Sequence, residues 1–288
     1  MKPGRIGAWY SSDKLTVKEW REFLPAIEAM GYETLWYPES RGFESMAFGS
    51  FLLNRTKTMT IGSSIANIYA RDALSCATGM NTLNAISGER YILGLGVSHI
   101  PLVEGLRGHE YRKPVATMRA YLEQMRAHLD HPDGWPVVLA ALGPRMLELA
   151  GELTAGAVPY NVTPTHTAKA KAILGGGKWL AVEQKVCLET DPAKARALAR
   201  AELKRYMALP NYCNNWLREG FTQDDITGEG SDRFMDAMVA WGDEAAIQAR
   251  LNEHFDAGAT HVCIQPVHEK GDLAAALRTL QALAPNGG

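Results

Sequence analysis

The sequence has no excess of either charge: 30 lysine and arginine side chains stand against 32 aspartates and glutamates in 288 residues, a formal net charge of -2. With no basic patch and no long like-charge run, it carries no electrostatic footprint for nucleic acid or for an anionic membrane surface, and neither is expected as a partner. It also lacks any uncharged stretch of about 18 apolar residues, and Met1 to Lys14 contains neither an apolar core nor a small-residue cleavage signal. A cytoplasmic protein is therefore expected. Cysteine is scarce: Cys76, Cys187, Cys213 and Cys263 are scattered, with no C-x-x-C pair and no neighbouring histidines, which reads as buried thiols and not as a zinc site. There is no G-x-S-x-G elbow, so nothing points to acyl transfer by a serine nucleophile. Internal repeats and low-complexity linkers are missing too, and one domain over residues 1–288 is the economical organisation.

What is present is an alternation of strand and helix patterns in an ordinary globular composition, 46% apolar and 22% charged. Eight short apolar runs read as strands: 5–9, 34–37, 60–65, 91–96, 137–141, 157–161, 180–188 and 261–265. Helical spacing predicts helices over 17–30, capped by Thr16 and ended by Gly31, and over 46–54, 72–86, 114–129, 144–151, 164–174, 192–207 and 272–283. Continuous apolar strands separated by helices predict a parallel sheet buried on both faces. Eight such units favour an α/β closed (β/α)8 TIM barrel over an open doubly wound sheet. Pro159 cannot donate to a sheet ladder, so the strand that contains it is expected to be short or irregular. About 80 residues separate the starts of the seventh and eighth strands, which predicts a helical insertion over roughly 209–241.

In a barrel of this kind chemistry sits at the carboxyl ends of the strands. There stand Trp9, Glu39, Asn67, Tyr69, Arg71, Ser98, His99 and Tyr160, a set rich in aromatic and hydrogen-bonding groups. It lacks the carboxylate and histidine clusters a metal-dependent hydrolase would need, so no metal is expected. His99, at the end of the fourth strand, is the candidate for proton transfer near neutrality; a hydrogen-bonded structural histidine is the plainer alternative. Glu39 could bind a cofactor or shuttle protons, or could form a salt bridge with Arg41 or Arg71. Trp9, Trp36, Tyr37 and Tyr69 either line an apolar pocket for a planar ring or belong to the core. In Leu142-Gly143-Pro144-Arg145, proline suits a first helical position and glycine lets a ligand approach the backbone, giving either an anion site or a plain turn. Gly94-Leu95-Gly96 is half of a dinucleotide fingerprint, but its third glycine would fall on His99, so NAD binding by that motif is rejected.

Taken in order, Leu35-Trp-Tyr-Pro-Glu39, Ile61-Gly-Ser-Ser-Ile-Ala-Asn67 with Arg71-Asp72, Arg90-Tyr-Ile-Leu-Gly-Leu-Gly-Val-Ser98, Leu139-Ala-Ala-Leu-Gly-Pro144, Gly156-Ala-Val-Pro-Tyr160 and Ala257-Gly-Ala-Thr-His-Val262 resemble the bacterial luciferase-like superfamily. Within it the sequence is most similar to the coenzyme F420 (deazaflavin)-dependent oxidoreductases, over nearly the whole chain. The resemblance implies a barrel with an insertion and a non-prolyl cis peptide at Ser64-Ile65 against the back of the deazaflavin ring. It implies cofactor contacts at Glu39, Ser64, Ile65, Asn67, Val97, Ser98, Ala141, Leu142, Gly143, Pro144 and Tyr160, with the anionic tail at Gly143-Pro144. Where sugar-phosphate dehydrogenase members carry an acid followed by a catalytic histidine, this chain has Glu39-Ser40, and the acid after the fourth strand is replaced by His99. The expected activity is hydride transfer between F420 and a small organic substrate of open identity, with His99 and Glu39 as catalytic candidates and Trp9, Tyr69 and Arg71 as substrate contacts. An FMN-dependent monooxygenase of the same superfamily is the alternative. The apolar helices near 46–53 and 73–83 offer an isologous face for a homodimer.

Overall fold

Eight parallel strands close into a barrel because each is a short run buried on both faces. A computed structural model of the chain describes residues 2–129 and 134–285, so the ends of the expected 1–288 span and residues 130–133 lie outside it. The strands are β1 (Ile6–Trp9), β2 (Thr34–Tyr37), β3 (Thr60–Ser63), β4 (Ala66–Asn67), β5 (Tyr91–Gly96), β6 (Val137–Leu139), β7 (Gly156–Ala157), β8 (Trp179–Cys187), β9 (Val239–Trp241) and β10 (His261–Pro266). Every pairing is parallel: β1, β2, β3, β5, β6, β7, β8 and β10 form the closed ring of eight, β10 pairing with β1 on one side and β8 on the other, His261 opposite Ala181 and Pro266 opposite Val186, while β4 pairs with β5 and β9 with β8. The barrel interior is packed by Trp9, Trp36, Ile92, Val138, Val158, Ala181 and Cys263. A larger apolar layer lies between the strands and the outer helices.

Those helices are α1 (Val17–Ala29), α2 (Ser45–Arg55), α3 (Ala73–Ser87), α4 (Pro114–Ala127), α5 (Pro144–Leu153), α6 (Pro164–Leu174), α7 (Pro192–Leu203), α8 (Pro210–Arg218), α9 (Asp232–Met238), α10 (Glu244–Asp256) and α11 (Leu273–Ala282). Their starts follow the capping logic of the sequence: Thr16 and Glu19 form a reciprocal capping box at α1, and Asp72, Asp191 and Asp243 accept first-turn amides of α3, α7 and α10.

The structure departs from the sequence reading in four places. The run 60–65 is split into β3 and β4 around a cis peptide at Ser64-Ile65. The expected sixth strand, 157–161, is reduced to β7, which ends at Ala157; Val158 N still donates to Leu139 O at 2.8 Å, but Pro159 has no amide to continue the ladder. The expected helix 192–207 stops at Leu203, and α10 was not anticipated, because its buried face, Ile247, Leu251 and His254, is narrow and partly polar. Between β8 and β10 the segment 209–241 contains α8, a 3-10 turn at Asp224–Ile226, α9 and the strand β9, which pairs in parallel with the carboxyl end of β8 at Lys185–Cys187. Together with α7 this segment encloses its own apolar cluster, centred on Leu203, Trp216, Phe234 and Met235.

Candidate active site

A cavity of about 300 Å³ opens at the carboxyl ends of the strands. One wall is made of small groups. Ile65, placed by the cis peptide, faces Gly96, where a Cβ would lie 2.6 Å from Ile65 Cγ1; Ala140 and Ala141 continue the wall. Gly94, two residues earlier, is required for a different reason: a Cβ there would sit 2.0 Å from the Ser63 carbonyl oxygen. The glycine pair of β5 therefore serves close backbone packing and an open cavity wall.

Glu39 lies at the cavity edge with both carboxylate oxygens engaged: Arg71 Nη2 donates to Oε1 at 2.5 Å and the Asn67 amide to Oε2 at 2.7 Å. The same Arg71 nitrogen donates to Glu44 Oε1 at 2.6 Å. Burial works against the Arg71 charge, but the two carboxylates outweigh it and its pKa is raised. The salt-bridge alternative for Glu39 is thus present, with Arg71 and not Arg41 as the partner. Arg71 and Asn67 stand behind Glu39 and do not line the cavity. Tyr69 is turned away as well, its ring 6.2 Å from Tyr111 and 6.1 Å from His109. Trp36 and Tyr37 are core: the Trp36 indole donates to His261 Nε2 at 2.9 Å and Tyr37 OH to the Ser45 carbonyl at 2.7 Å.

His99 also lines the cavity. Burial pushes its imidazole pKa below the ordinary histidine value, and a hydrogen bond with the Asn211 side chain opposes this in part. Its ring lies 5.8 Å from that of Tyr212. Trp9, Ser64, Val97, Ser98, Ala141, Leu142 and Tyr160 also line the cavity. The indole N–H of Trp9, a residue only 3% exposed, has no hydrogen-bond partner among the described residues.

At the edge of the cavity Leu142 leads into α5, whose N-cap is Gly143 with Pro144 in the first helical position. No side chain caps this end, and above Gly143 the first atom met is Arg218 Nη2, 3.8 Å from a would-be Cβ. His166 fixes the turn by a 2.9 Å hydrogen bond from Nε2 to the Leu142 carbonyl. The start of α5 therefore presents an open, positively polarised end. Among the described residues no group of three or more histidine, cysteine, aspartate or glutamate side chains could hold a metal ion.

A luciferase-like monooxygenase family model matches residues 1–261. The chain belongs to this luciferase-like family. Among its relatives, a Mycobacterium tuberculosis protein carrying the name of a coenzyme F420-dependent oxidoreductase is 30% identical over 207 residues, which are 70% of this chain and 56% of that protein. The match thus spans a little over half the length of that relative. The 5,10-methylenetetrahydromethanopterin reductase of Methanolobus tindarius is 26% identical over 286 residues, covering 83% of this chain and 87% of that protein. In structure, an F420-dependent secondary alcohol dehydrogenase in complex with an F420-acetone adduct superposes with a TM-score of 0.77 at 14% identity, covering both chains fully. A type II Baeyer-Villiger monooxygenase of Pseudomonas putida in complex with FMN gives 0.73 at 13% identity over 98% of this chain and 97% of that one. At those identities the superpositions establish the shared barrel.

This luciferase-like barrel carries one polar assembly that the sequence reading missed. Lys185, on β8 and buried inside the barrel, donates to Asn161 Oδ1 at 2.6 Å, Glu183 Oε1 at 3.2 Å and Gln265 Oε1 at 3.5 Å, and its Nζ lies 3.9 Å from the Tyr160 ring centroid. From there a directed chain runs to the cavity. Arg205 donates to Tyr206 OH at 2.6 Å, Tyr206 to Tyr160 OH at 2.8 Å, and Tyr160 to Gln265 Oε1 at 2.8 Å. Glu202 closes the assembly, accepting from Gln265 Nε2 at 3.0 Å and from Lys14 at 3.1 Å. Burial opposes ionisation of both members of the Glu183–Lys185 pair, raising the carboxyl pKa and lowering that of the ammonium. The available signal was the run Glu183-Gln-Lys185 in the middle of an otherwise apolar strand.

Proposed function

We propose that the chain is an oxidoreductase that binds coenzyme F420 in the barrel-mouth cavity and exchanges a hydride with a small organic substrate. The observation that carries this reading is the wall formed by Ile65 and Gly96, next to an uncapped helix start at Gly143. A smooth apolar face for a planar ring then adjoins a site for an anionic tail. The orphaned Trp9 N–H adds an unmet hydrogen-bonding group inside the same space. Ser64, Ile65, Val97, Ser98, Ala141, Leu142 and Tyr160 would hold the ring system, Glu39, backed by the Asn67 amide, its edge, and the amides after Gly143-Pro144 the tail. Bound there, the deazaflavin would supply or accept the hydride while reacting poorly with oxygen.

His99 moves the accompanying proton. Its low pKa leaves the imidazole neutral at pH 7, and the Asn211 hydrogen bond uses one ring nitrogen. The other is free to accept a proton from a substrate hydroxyl, or to return it in the reverse direction. Glu39, with both oxygens engaged, acts by positioning: it holds the backbone of Asn67 beside the ring site. Much of the rate would come from holding substrate and ring in register in a cavity that excludes water. In this reading residues 1–288 form one domain, with 209–241 as an insertion that supplies Asn211 and Tyr212 to the site.

The FMN-dependent alternative draws on the FMN-bound neighbour of the same fold. Fluorescence titration of the apoprotein with F420 and FMN separates the two. F420 is expected to bind at least about tenfold tighter; tighter FMN binding would favour the monooxygenase reading.

A further inference from the structure

We propose that Arg205 makes this enzyme selective for substrates bearing an anionic oxygen group such as a carboxylate. The proposal rests on the F420 reading for the identity of the reaction, but its evidence is the charge and donor arrangement of the cavity itself.

Among the described residues, the charged side chains lining the cavity are Glu39 and Arg205. Glu39 offers a ligand little, because Arg71 and the Asn67 amide occupy both of its oxygens. Arg205 is only partly committed. Its Nη2 serves Tyr206 at 2.6 Å and Glu202 at 3.3 Å, whereas no hydrogen bond is found for its Nη1 or Nε among the described residues.

The surroundings compensate that charge only in part, because Arg205 shares its carboxylate partner, Glu202, with Lys14. The assembly behind the wall contains Lys14, Lys185 and Arg205 against Glu183 and Glu202. Three cations and two anions leave one positive charge. If the buried Glu183–Lys185 pair transfers its proton and becomes neutral, Lys14, Arg205 and Glu202 still leave one. The excess therefore does not depend on how that pair holds its proton. Glu202 is shared between Lys14 at 3.1 Å and Arg205 at 3.3 Å, Lys185 is enclosed by its three acceptors, and the excess meets the cavity at Arg205, whose side chain is 56% exposed.

The donor pattern points the same way. The Tyr206 and Tyr160 hydroxyl protons are both directed inward, towards Tyr160 and Gln265, so neither is offered to a ligand. The Arg205 guanidinium is the cationic donor left over on this wall, and the orphaned Trp9 N–H and the Tyr212 hydroxyl are neutral donors beside it. A wall with a net cation and unmet donors, framed by the rings of Trp9, Tyr160, Tyr206 and Tyr212, matches an acceptor-rich anion on a small apolar body.

Benzoate and benzamide, nearly equal in size and shape and different in charge, test this by calorimetric titration of the chain with and without F420. Benzoate should bind roughly tenfold tighter than benzamide, and added salt should reduce the preference. R205Q should abolish it, R205K should retain part of it, and R112Q, a charge removed from an exposed loop, should leave it unchanged. Equal binding of the two probes, failure of benzoate to bind at millimolar concentration, or a preference that survives R205Q would overturn the proposal. If F420 itself fails to bind while the benzoate preference is intact and Arg205-dependent, it is the redox reading that falls.

Discussion

Arg71 joins Glu39 at the cavity edge to Glu44 at the start of α2, one guanidinium nitrogen lying 2.5 Å from the first carboxylate and 2.6 Å from the second. Arg71 and Glu39 are nearly enclosed, at 9% and 3% side-chain exposure, whereas Glu44 is half exposed. Removing the arginine leaves the Glu39 carboxylate buried and unpaired, which typically costs about 3–5 kcal/mol. R71A should therefore lower the denaturation midpoint far more than E39Q, in which Arg71 keeps Glu44. Chemical denaturation of the two variants checks the order.

The two glycines of β5 should fail in different ways. A Cβ at Gly94 meets backbone, the Ser63 carbonyl, and cannot be accommodated by a rotamer change, so G94A should destabilise the fold by at least about 1–3 kcal/mol. A Cβ at Gly96 meets side chains and no backbone, Ile65 closely and Ala140 Cβ at 3.4 Å, and Ile65 borders the open cavity. G96A should keep most of its stability and lose affinity for the ring-bearing cofactor. Thermal melts paired with fluorescence titration distinguish the two; similar behaviour of both variants would count against Ile65 as the ring-facing wall.

His99 is expected to carry proton transfer and not binding. H99Q should reduce turnover by about 10²–10⁴-fold with F420 affinity unchanged. Because burial lowers the His99 pKa, the acidic limb of the substrate-oxidation profile should lie below the ordinary histidine range, and activity should be lost as the pH falls through it. N211A removes the hydrogen bond that opposes this shift and should move the limb lower still.

Two other histidines set an acid limit on stability. His261 is fully enclosed and accepts from Trp36 while donating to the Gly4 carbonyl; burial holds its pKa down to about 4. His254 lies between Thr167 and Gln184, and burial, with Arg250 and His166 nearby, takes it to about 3. Unfolded histidine takes up its proton near 6.5. Between that value and the folded one the unfolded chain binds more protons, so stability falls as the pH is lowered, by about 1.4 kcal/mol per pH unit for each group. Denaturation midpoints should drop steadily from pH 6.5 to 4.5; a flat profile would contradict neutral burial.

The barrel was legible because its strands are apolar on both faces and its helices begin at recognisable start signals, as at the Thr16 cap and at Pro144 in the first turn of α5. What escaped was set by tertiary context. Nothing local marks His254 as part of a buried helix face, since its partners Thr167 and Gln184 are 87 and 70 residues away. Trp9, Glu39, Ile65 and His99 could be placed at the cavity because barrel topology brings strand ends together. Arg205, Tyr206 and Asn211 could not, because they reach the cavity from the segment after α7, whose course depends on packing around Trp216 and Phe234. The surroundings of Tyr69, expected as a substrate contact, were not legible for a related reason: its ring packs against Tyr111, in a loop that periodicity does not position.

The central claim is the identity of the redox group, and mass spectrometry of the chromophore retained after expression in a host that makes both F420 and FMN tests it most directly. The account predicts a bound deazaflavin and no rapid oxygen consumption on reduction. Recovery of FMN, with rapid uptake of oxygen by the reduced protein, would contradict it.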